Sequence, residues 1–185
     1  ISNEVISVNE TLFDLYNFFK IQCDENKVNL KLDLDINSQE TKIQTDKNKF
    51  NSILTNLIKN AVKYTEKGEI TIGFKKKKDH YLFFVKDTGI GIKKDNQLKI
   101  FEAFSQEDNS TSKKFGGTGL GLTIVKKIVN LLNGEIKVES EFGKGPSRAR
   151  PSRWPHCLRP CGWHGHGSCV SGRGRIMGVG HRGTS

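Results

Sequence analysis

Apolar residues recur at helical spacing in two stretches of the first half of the chain. Residues 12–25 place leucine and phenylalanine on one side of a predicted helix, which Asn9 or Thr11 would cap. A second predicted helix follows Asp46, its expected N-cap. Seven apolar residues form one broad stripe along this second helix: Phe50, Ile53, Leu54, Leu57, Ile58, Ala61 and Val62. Each helix is therefore predicted to cover a core with one face.

Alternation of apolar and polar residues predicts strands between and after these helices. Residues 28–34 and 70–74 alternate in this way, the second run following a chain break at Gly68. Residues 81–85 are more continuously apolar, which indicates a more buried strand. The charged residues 75–79 between the last two runs predict a solvated hairpin turn.

The next part of the chain predicts one more helix and one more strand. A helix is expected from Thr118 to the stop signal Asn133-Gly134, and a strand at 135–140. The predicted inner face of the helix consists of Leu120, Ile124, Val125, Ile128, Leu131 and Leu132. This order of elements predicts an α+β fold, a two-layer α/β sandwich whose helices cover one face of the sheet.

Composition divides the chain near Gly145. Residues up to 145 contain 23 lysines and all 20 acidic residues, a net charge of +3, whereas residues 146–185 contain seven arginines and no acid, a charge of +7. We interpret 146–185 as an Arg/Gly/Pro-rich tail, either translated from foreign DNA or another frame, or a native disordered extension. Since the basic excess lies in this tail, we expect no specific nucleic-acid partner.

The remaining sequence is expected to divide into a linker end, residues 1–10, and one domain, residues 11–145. Cys23 is the one cysteine of that domain, so no disulfide framework is predicted. There is also no apolar run of about 18 residues and no leader-like start. These features predict a cytoplasmic location, which leaves open whether a longer parent protein is anchored in a membrane.

Asn56, Asn60 and Lys63 are spaced four and three residues apart, so they share one face of the second helix. Amide oxygens and an ammonium group suit a magnesium–phosphate complex. Taken alone, these residues are more simply an ordinary polar face.

The segment Asp87-Thr88-Gly89-Ile90-Gly91 directly follows a predicted strand. Its glycines permit a sharp turn close to a ligand, and its carboxylate suits the exocyclic amine of adenine. A helix-capping aspartate followed by turn glycines is the simpler alternative. Phe101 and Phe104, further on, are by themselves typical of core packing.

The glycine-rich segment 116–121 opens the third predicted helix, where free N–H groups would hold phosphate. It follows a long polar stretch, residues 105–114, whose composition is typical of a lid. Because it follows a lid and not a strand, and lacks the Gly-Lys-Ser/Thr signature, it is neither a Rossmann loop nor a P-loop.

The four clusters in this order resemble the N, G1, F and G2 boxes of the ATP-binding catalytic domain of sensor histidine kinases, over about residues 10–145. The resemblance implies the Bergerat fold of the GHKL superfamily, with ATP and Mg²⁺ as cofactors. It implies an ATP-binding set consisting of Asn56, Asn60, Lys63, Tyr64, Asp87, Gly89, Gly91, Ile92, Phe104, Gly117, Thr118, Gly119, Leu120 and Gly121. Asn60 would bind the Mg²⁺, and Asp87 would accept a hydrogen bond from adenine. Asn56 and Lys63 would line the phosphates.

The resemblance also separates two kinds of chemistry. Hydrolytic relatives carry a water-activating glutamate at the position of Asn56, whose amide cannot act as a base. We therefore expect a protein-histidine kinase domain that transfers the γ-phosphate of ATP to a histidine on a separate dimerisation domain. The expected later acceptor is the receiver domain of a response regulator. The alternatives are a nucleotide-gated structural ATPase and a degenerate domain that binds no nucleotide.

Two departures from the family pattern qualify these expectations. The phosphoacceptor histidine is absent, and His80, the one histidine of the domain, falls on the predicted hairpin, so no catalytic residue is assigned and autophosphorylation is not expected. Residues 146–151 carry two prolines where the family has its last strand, and that strand is expected to be missing or replaced.

Overall fold

The computed structural model describes residues 2–34, 41–77, 80–97, 99–102 and 119–142, in which strands and helices are interspersed. The elements in chain order are β1 (Glu4–Ser7), α1 (Val8–Glu25), β2 (Val28–Asp33), β3 (Lys42–Thr45), α2 (Lys47–Tyr64), β4 (Gly68–Lys76), β5 (Tyr81–Asp87), the short 3₁₀ helices Lys94–Asn96 and Lys99–Phe101, and α3 (Gly121–Leu131).

Two sheets organise the strands. In the larger sheet β4 lies between β2, to which it runs parallel, and β5, to which it runs antiparallel. Ile72 of β4 lies opposite Leu32 on one side and Val85 on the other. The smaller sheet pairs β1 with β3, with Ile6 opposite Ile43. Helices packed on a mixed sheet confirm the predicted two-layer α+β fold.

The apolar stripe of α2 forms the centre of the core. All seven of its predicted residues are buried, each at most 8% exposed, and they pack with the inward side chains of β4 and β5. From α1, Leu12, Phe19 and Cys23 complete the layer. Burial raises the pKa of the Cys23 thiol, so this cysteine is a core residue rather than a reactive one.

The start of α1 differs from the prediction. Ser7, and neither Asn9 nor Thr11, is the N-cap: its side chain accepts a hydrogen bond from the backbone N–H of Glu10 at 3.3 Å. The Thr11 hydroxyl instead donates to the carbonyl of Ser7 at 2.8 Å. Because the helix begins at Val8, the segment assigned to a linker contributes to the fold. Ile6 and Val8 both belong to the core, so the folded region begins before residue 11.

Asp46 caps α2 as predicted. Its carboxylate accepts from the backbone N–H of Lys49 at 3.0 Å and from Lys49 Nζ at 2.7 Å, and also from the N–H of Ser2 at 3.1 Å. The hydrogen bond from the Lys49 side chain, followed by the one from its backbone, lowers the pKa of Asp46 from 3.8 to about 2. The cap therefore ties the start of α2 to the chain entering β1.

Asp46→Asn tests this cap, since asparagine can cap a helix but cannot pair with Lys49 as an ion. A pKa below its unfolded value stabilises the folded state above pH 3.8, and this stabilisation disappears as the pH falls through about 2. We expect the variant to melt several degrees below the original chain near neutral pH and at the same temperature below pH 2. Thermal melts across this range measure the difference. Asp95→Asn, at an exposed carboxylate, is the control; a pH-independent difference for Asp46→Asn would contradict the prediction.

Helix α3 is partly as predicted. Val125 and Val129 are its buried residues, whereas Ile124 and Leu131 are 44% and 49% exposed, so their assignment to the inner face is wrong. An 11-residue helix that packs mainly on α2 along one line buries a narrower stripe than its apolar content suggests. The predicted stop is confirmed: Asn133 adopts φ 56°, and the N–H of Gly134 bonds the carbonyl of Val129 at 2.8 Å.

The predicted strand at 135–140 is not formed. Residues 134–141 have no regular secondary structure, although Ile136 packs against the core. Side-chain hydrogen bonds hold this segment: Gln97 Nε2 donates to the carbonyl of Ser140 at 2.7 Å. A strand requires a backbone ladder, and the proline-bearing residues 146–151 are poorly suited to supply one. Alternation in the sequence was thus insufficient to predict a strand here.

The hairpin between β4 and β5 is shorter than predicted. Lys75 and Lys76 belong to β4, and the N–H of Lys77 bonds the carbonyl of His80 at 2.7 Å. His80 therefore lies at the tip end of the hairpin, as expected from the sequence. Among the described residues, no helix is long and apolar enough to cross a membrane.

Candidate functional site

Asp87, the last residue of β5, is a buried carboxylate with 2% of its surface exposed. Its Oδ1 accepts a hydrogen bond from the N–H of Gly89 at 2.8 Å. A Cβ atom at Gly89 would lie 2.3 Å from the carbonyl oxygen of Tyr64 and 2.9 Å from Asp87 Oδ1. Glycine is therefore required here for the chain to pass between the carboxylate and the end of α2.

Thr88 fixes the turn after β5. Its Oγ1 accepts from the N–H of Glu69 at 3.0 Å, and its own N–H bonds the Glu69 carbonyl at 3.1 Å. Gly68, at φ 118°, makes room for this hydroxyl, because a Cβ there would lie 2.1 Å from it. The sequence suggested no role for Thr88, because its partner Glu69 lies at the start of another strand and no pattern around residue 88 indicates the contact.

The C-terminal end of α2 contacts the same turn. The carbonyl of Tyr64 accepts from the N–H of Ile90 at 3.3 Å. The Lys63 amine lies 4.7 Å from the centroid of the Tyr64 ring, a cation–π contact. Tyr64, Asp87 and Gly89, three of the predicted site residues, thus lie together at the C-terminal end of α2.

Asn56 meets the other glycine-rich segment. Its Nδ2 donates to the carbonyl of Ser52 at 2.8 Å, and a Cβ atom at Gly121 would lie 3.3 Å from its Oδ1. Gly121 is the first residue of α3, and Gly119 before it has φ 68°. The N-cap, Leu120, provides no side-chain hydrogen bond to the helix end. Among the described residues, no side chain therefore caps the first N–H groups of α3 beside Asn56.

Helix α2 connects these two ends. Asn56 and Tyr64 are eight residues apart, or about 12 Å along the helix axis. Asn60 lies between them and is half-buried, as are Asn56 and Lys63. The structure therefore brings the predicted N-box residues, the turn after β5 and the start of α3 to one side of the fold.

Comparison with known families identifies the part of the chain that contains these elements. The sequence model of the family described as "Histidine kinase-, DNA gyrase B-, and HSP90-like ATPase" matches residues 45–149, which include α2, the turn after β5 and α3. The chain belongs to this ATPase family. The matched region is homologous to the ATP-binding catalytic domains of sensor histidine kinases.

Individual relatives are sensor kinases. The chain is 41% identical over 142 residues to the autoinducer 2 sensor kinase/phosphatase LuxQ of Vibrio vulnificus strain CMCP6, covering 74% of this chain and 16% of that protein. It is 40% identical over 120 residues to the circadian input-output histidine kinase CikA of Synechococcus elongatus, covering 64% and 16%. The crystal structure of full-length ShkA in complex with AMPPNP superposes with a TM-score of 0.70 at 27% identity, covering 87% of this chain and 32% of ShkA.

Gly91 and Ile92, also predicted as site residues of this ATPase domain, contact the segment after α3. Gly91 has φ 73°, and a Cβ there would lie 2.2 Å from the carbonyl of Glu141. Ile92 is buried, and its N–H donates to Ser140 Oγ at 2.8 Å. Gln97 Nε2 bridges the carbonyls of Ile92 and Ser140 at 3.2 and 2.7 Å. Sequence analysis missed Gln97 and Ser140, because their contact joins residues 43 positions apart.

Other predicted residues of the ATPase site are placed only in part. Phe104, Gly117 and Thr118 lie outside the described residues, as does the predicted lid at 105–114. Phe101 is half-buried in the second 3₁₀ helix, with Lys126 Nζ of α3 5.6 Å from its ring centroid. The F-box segment therefore packs against the G2-box helix.

An open groove of about 460 Å³ lies at the C-terminal ends of α1 and α2. Its lining comprises Gln22, Asn26, Lys59, Val62, Lys63, Thr65 and Glu66. Lys63 is the one predicted ATP-binding residue among them, and the groove includes neither Asn56 nor Asp87. The groove is thus separate from the contact of Asn56 with α3 and from the turn that follows Asp87.

The metal chemistry of the site follows from its donors. Among the described residues, no cluster of three His, Cys, Asp or Glu side chains could hold a metal ion by itself. The N-box face offers amide oxygens instead. Such a donor set fits Mg²⁺, which usually takes one or two protein oxygens and completes its shell with phosphate oxygens and water.

Proposed function

We propose that this chain binds Mg·ATP and delivers its γ-phosphate to a histidine on a separate dimerisation domain, as the catalytic domain of a sensor histidine kinase. The observation that carries the proposal is the arrangement around α2. One end of this helix meets a buried carboxylate at the turn after β5, and Asn56 meets a helix N-terminus without a side-chain cap. A nucleotide with its purine at the first end and its phosphates at the second would run along the helix.

At the purine end, Asp87 would supply specificity. Gly89 holds one carboxylate oxygen in place through its N–H. The carboxylate would then accept a hydrogen bond from the exocyclic amine of adenine, a group that guanine lacks at that position. In a buried site, a hydrogen bond to a charged acceptor discriminates strongly between such bases.

At the phosphate end, the groups from the protein are the N–H groups of α3 and the amides of Asn56 and Asn60. The Lys63 amine lies over the Tyr64 ring at the other end of the helix, so its ammonium would have to turn toward Asn60 to reach a phosphate. A helix N-terminus with unbonded N–H groups attracts anions. Asn60 would hold the Mg²⁺, which neutralises phosphate charge when bound. These groups position and neutralise the nucleotide, and this is most of what phosphoryl transfer requires of a protein.

The same residues favour transfer over hydrolysis. Asn56 occupies the position beside α3 where a water-activating base would act. Its Nδ2 donates a hydrogen bond to the carbonyl of Ser52, and its neutral amide cannot take a proton from water. His80 is at the far end of β5 from Asp87, about 20 Å away along the strand. It is therefore too distant to be the acceptor at its own site.

The matched relatives support the proposed acceptor, because their names identify them as sensor or histidine kinases. The chain spans 16% of the length of each, so most of such a protein lies outside the match. We propose as partners a dimerisation domain with its histidine, through which a parent kinase would form a homodimer, and downstream the receiver domain of a response regulator.

Phosphotransfer with radiolabelled ATP tests this function. We expect little or no label on the chain alone, and label on an added histidine-bearing dimerisation domain from a LuxQ-type relative. An acid-labile, base-stable product identifies phosphohistidine. Efficient labelling of the chain alone would contradict the proposal. Steady phosphate release without an acceptor would favour a nucleotide-gated ATPase, and absence of Mg·ATP binding would favour a degenerate domain.

A further inference from the structure

The outer face of α1 carries an unusual set of exposed apolar side chains. Phe13 is 54% exposed, and Phe18 and Ile21 are each 70% exposed. None of them belongs to the candidate nucleotide site or to the core. Single exposed apolar residues are common on protein surfaces, but three large ones on the outer side of one helix indicate an interaction surface.

Two of these residues, Phe18 and Ile21, are neighbours on the helix surface, and Phe13 lies on the same outer side about two turns before Ile21. Ile21 follows Phe18 by three residues, and Asn17 connects them to Phe13 through steps of four residues. The ring of Phe18 packs edge-on against the buried ring of Phe19, with centroids 5.0 Å apart. This contact holds the Phe18 ring at the surface, so the face is preorganised for a partner.

Carboxylates are interspersed with these apolar side chains. Glu10, Asp14, Asp24 and Glu25 are exposed on the same side of the helix, each one to four residues from one of the three apolar side chains. Lys20 is the one basic residue of α1 and forms an ion pair with Asp24. Residues up to 145 otherwise contain more lysines than acids, so the acidic character of this face is a local feature.

We propose that this face of α1, defined by Phe13, Phe18 and Ile21 with the carboxylates among them, docks a helical protein segment that presents apolar side chains together with lysine or arginine. Apolar anchors combined with complementary charge are usual in helix recognition. Two acidic faces would repel each other, which disfavours a second copy of this chain packed face to face, and an anionic membrane is disfavoured for the same reason.

Two synthetic helical peptides of 18 residues provide the test. One has leucines along one side and lysines on its flanks, and its twin has glutamates in place of the lysines. Binding to the full chain is measured by fluorescence anisotropy, with backbone amide NMR shifts to locate the contact. We expect the lysine peptide to bind, to shift amides of α1, and to bind at least about tenfold more tightly than the glutamate twin.

Variants separate the specific surface from general stickiness. The double substitution Phe18→Gln/Ile21→Gln is expected to weaken the binding of the lysine peptide by about tenfold or more. Asp14→Lys with Glu25→Lys should invert the preference between the two peptides. Leu131→Gln, at a half-exposed leucine of α3, is the control and should leave binding unchanged. Melting temperatures show that each variant is folded.

Three outcomes would overturn the proposal. The first is equal binding of both peptides, and the second is amide NMR shifts confined to elements other than α1. The third is a concentration-dependent dimer of the original chain, seen by light scattering, that is lost in the Phe18→Gln/Ile21→Gln variant. This third outcome would show that a second copy of the chain binds this face of α1. Nucleotide affinity should be the same in all these variants, so the result does not depend on the proposed phosphotransfer.

Discussion

Asp87→Asn is expected to weaken the binding of a Mg·ATP analogue by about 100-fold, or roughly 2.7 kcal/mol. The substitution preserves shape but leaves one oxygen where there were two. Gly89 already donates its N–H to Oδ1. If the asparagine oxygen keeps that bond, its NH₂ group faces the adenine amine, a donor against a donor. If the amide is rotated by 180°, its NH₂ group faces the N–H of Gly89 instead, again a donor against a donor. One buried hydrogen bond is therefore lost in either arrangement. Titration of a fluorescent ATP analogue measures the change.

Asp95→Asn is the matched control for this experiment. Asp95 is an exposed carboxylate in the first 3₁₀ helix, eight residues further along, so the variant has the same charge change without the buried contact. Its affinity for the analogue should stay within about twofold. Should Asp87→Asn bind as tightly as the original chain while melting at the same temperature, the adenine contact would have to be made elsewhere.

Gly73→Ala is expected to have the largest effect on stability, a loss of roughly 3 kcal/mol in the free energy of unfolding. A Cβ atom at this position of the central strand would lie 2.1 Å from the carbonyl oxygen of Asp33 in β2. It would also lie 2.7 Å from Cζ of Phe84, whose ring covers the glycine from β5. Since one clash is with backbone, the added methyl would force β2 and β4 apart. A urea titration monitored by circular dichroism measures the loss.

Thr71→Ala provides the comparison for Gly73→Ala. Thr71 is on the same strand two residues earlier, so its side chain projects from the same face of the sheet. Removing its side-chain atoms creates no clash and should cost less than about 1 kcal/mol. Equal destabilisation by both variants would show that β4 responds to any change and not to crowding at Gly73.

The fold could be predicted from the sequence wherever one element carried the whole signal. The α2 stripe runs from Phe50 to Val62, more than three turns, with a capping aspartate before it, and every predicted residue of it is buried. Similarly, β4 and β5 appeared where alternation or continuous hydrophobicity predicted them. In these segments the period of the side chains and the choice of the buried face are properties of the local chain.

Short elements and shared faces could not be predicted in this way. Strands β1 and β3 have four residues each and pair across about 40 positions, so neither has a pattern of its own. The start of α1 depended on which of several hydroxyl or amide residues turned toward the helix end, and Ser7 did. Apolar and polar residues alternate at 135–140, but this segment is held by hydrogen bonds from side chains and forms no backbone ladder with another strand.

The sequence by itself determined the order of the boxes, the amphipathic α2 with Asn56, Asn60 and Lys63 on one face, and the glycines that the turn after β5 requires. These depend on spacing and residue type, which are local. Only the tertiary structure decided that the Tyr64 carbonyl bonds the turn after Asp87, that Asn56 meets the start of α3, and that Ser140 and Gln97 fix Ile92. Those contacts join residues up to 65 positions apart, and their formation depends on packing around the whole core, which no single segment encodes.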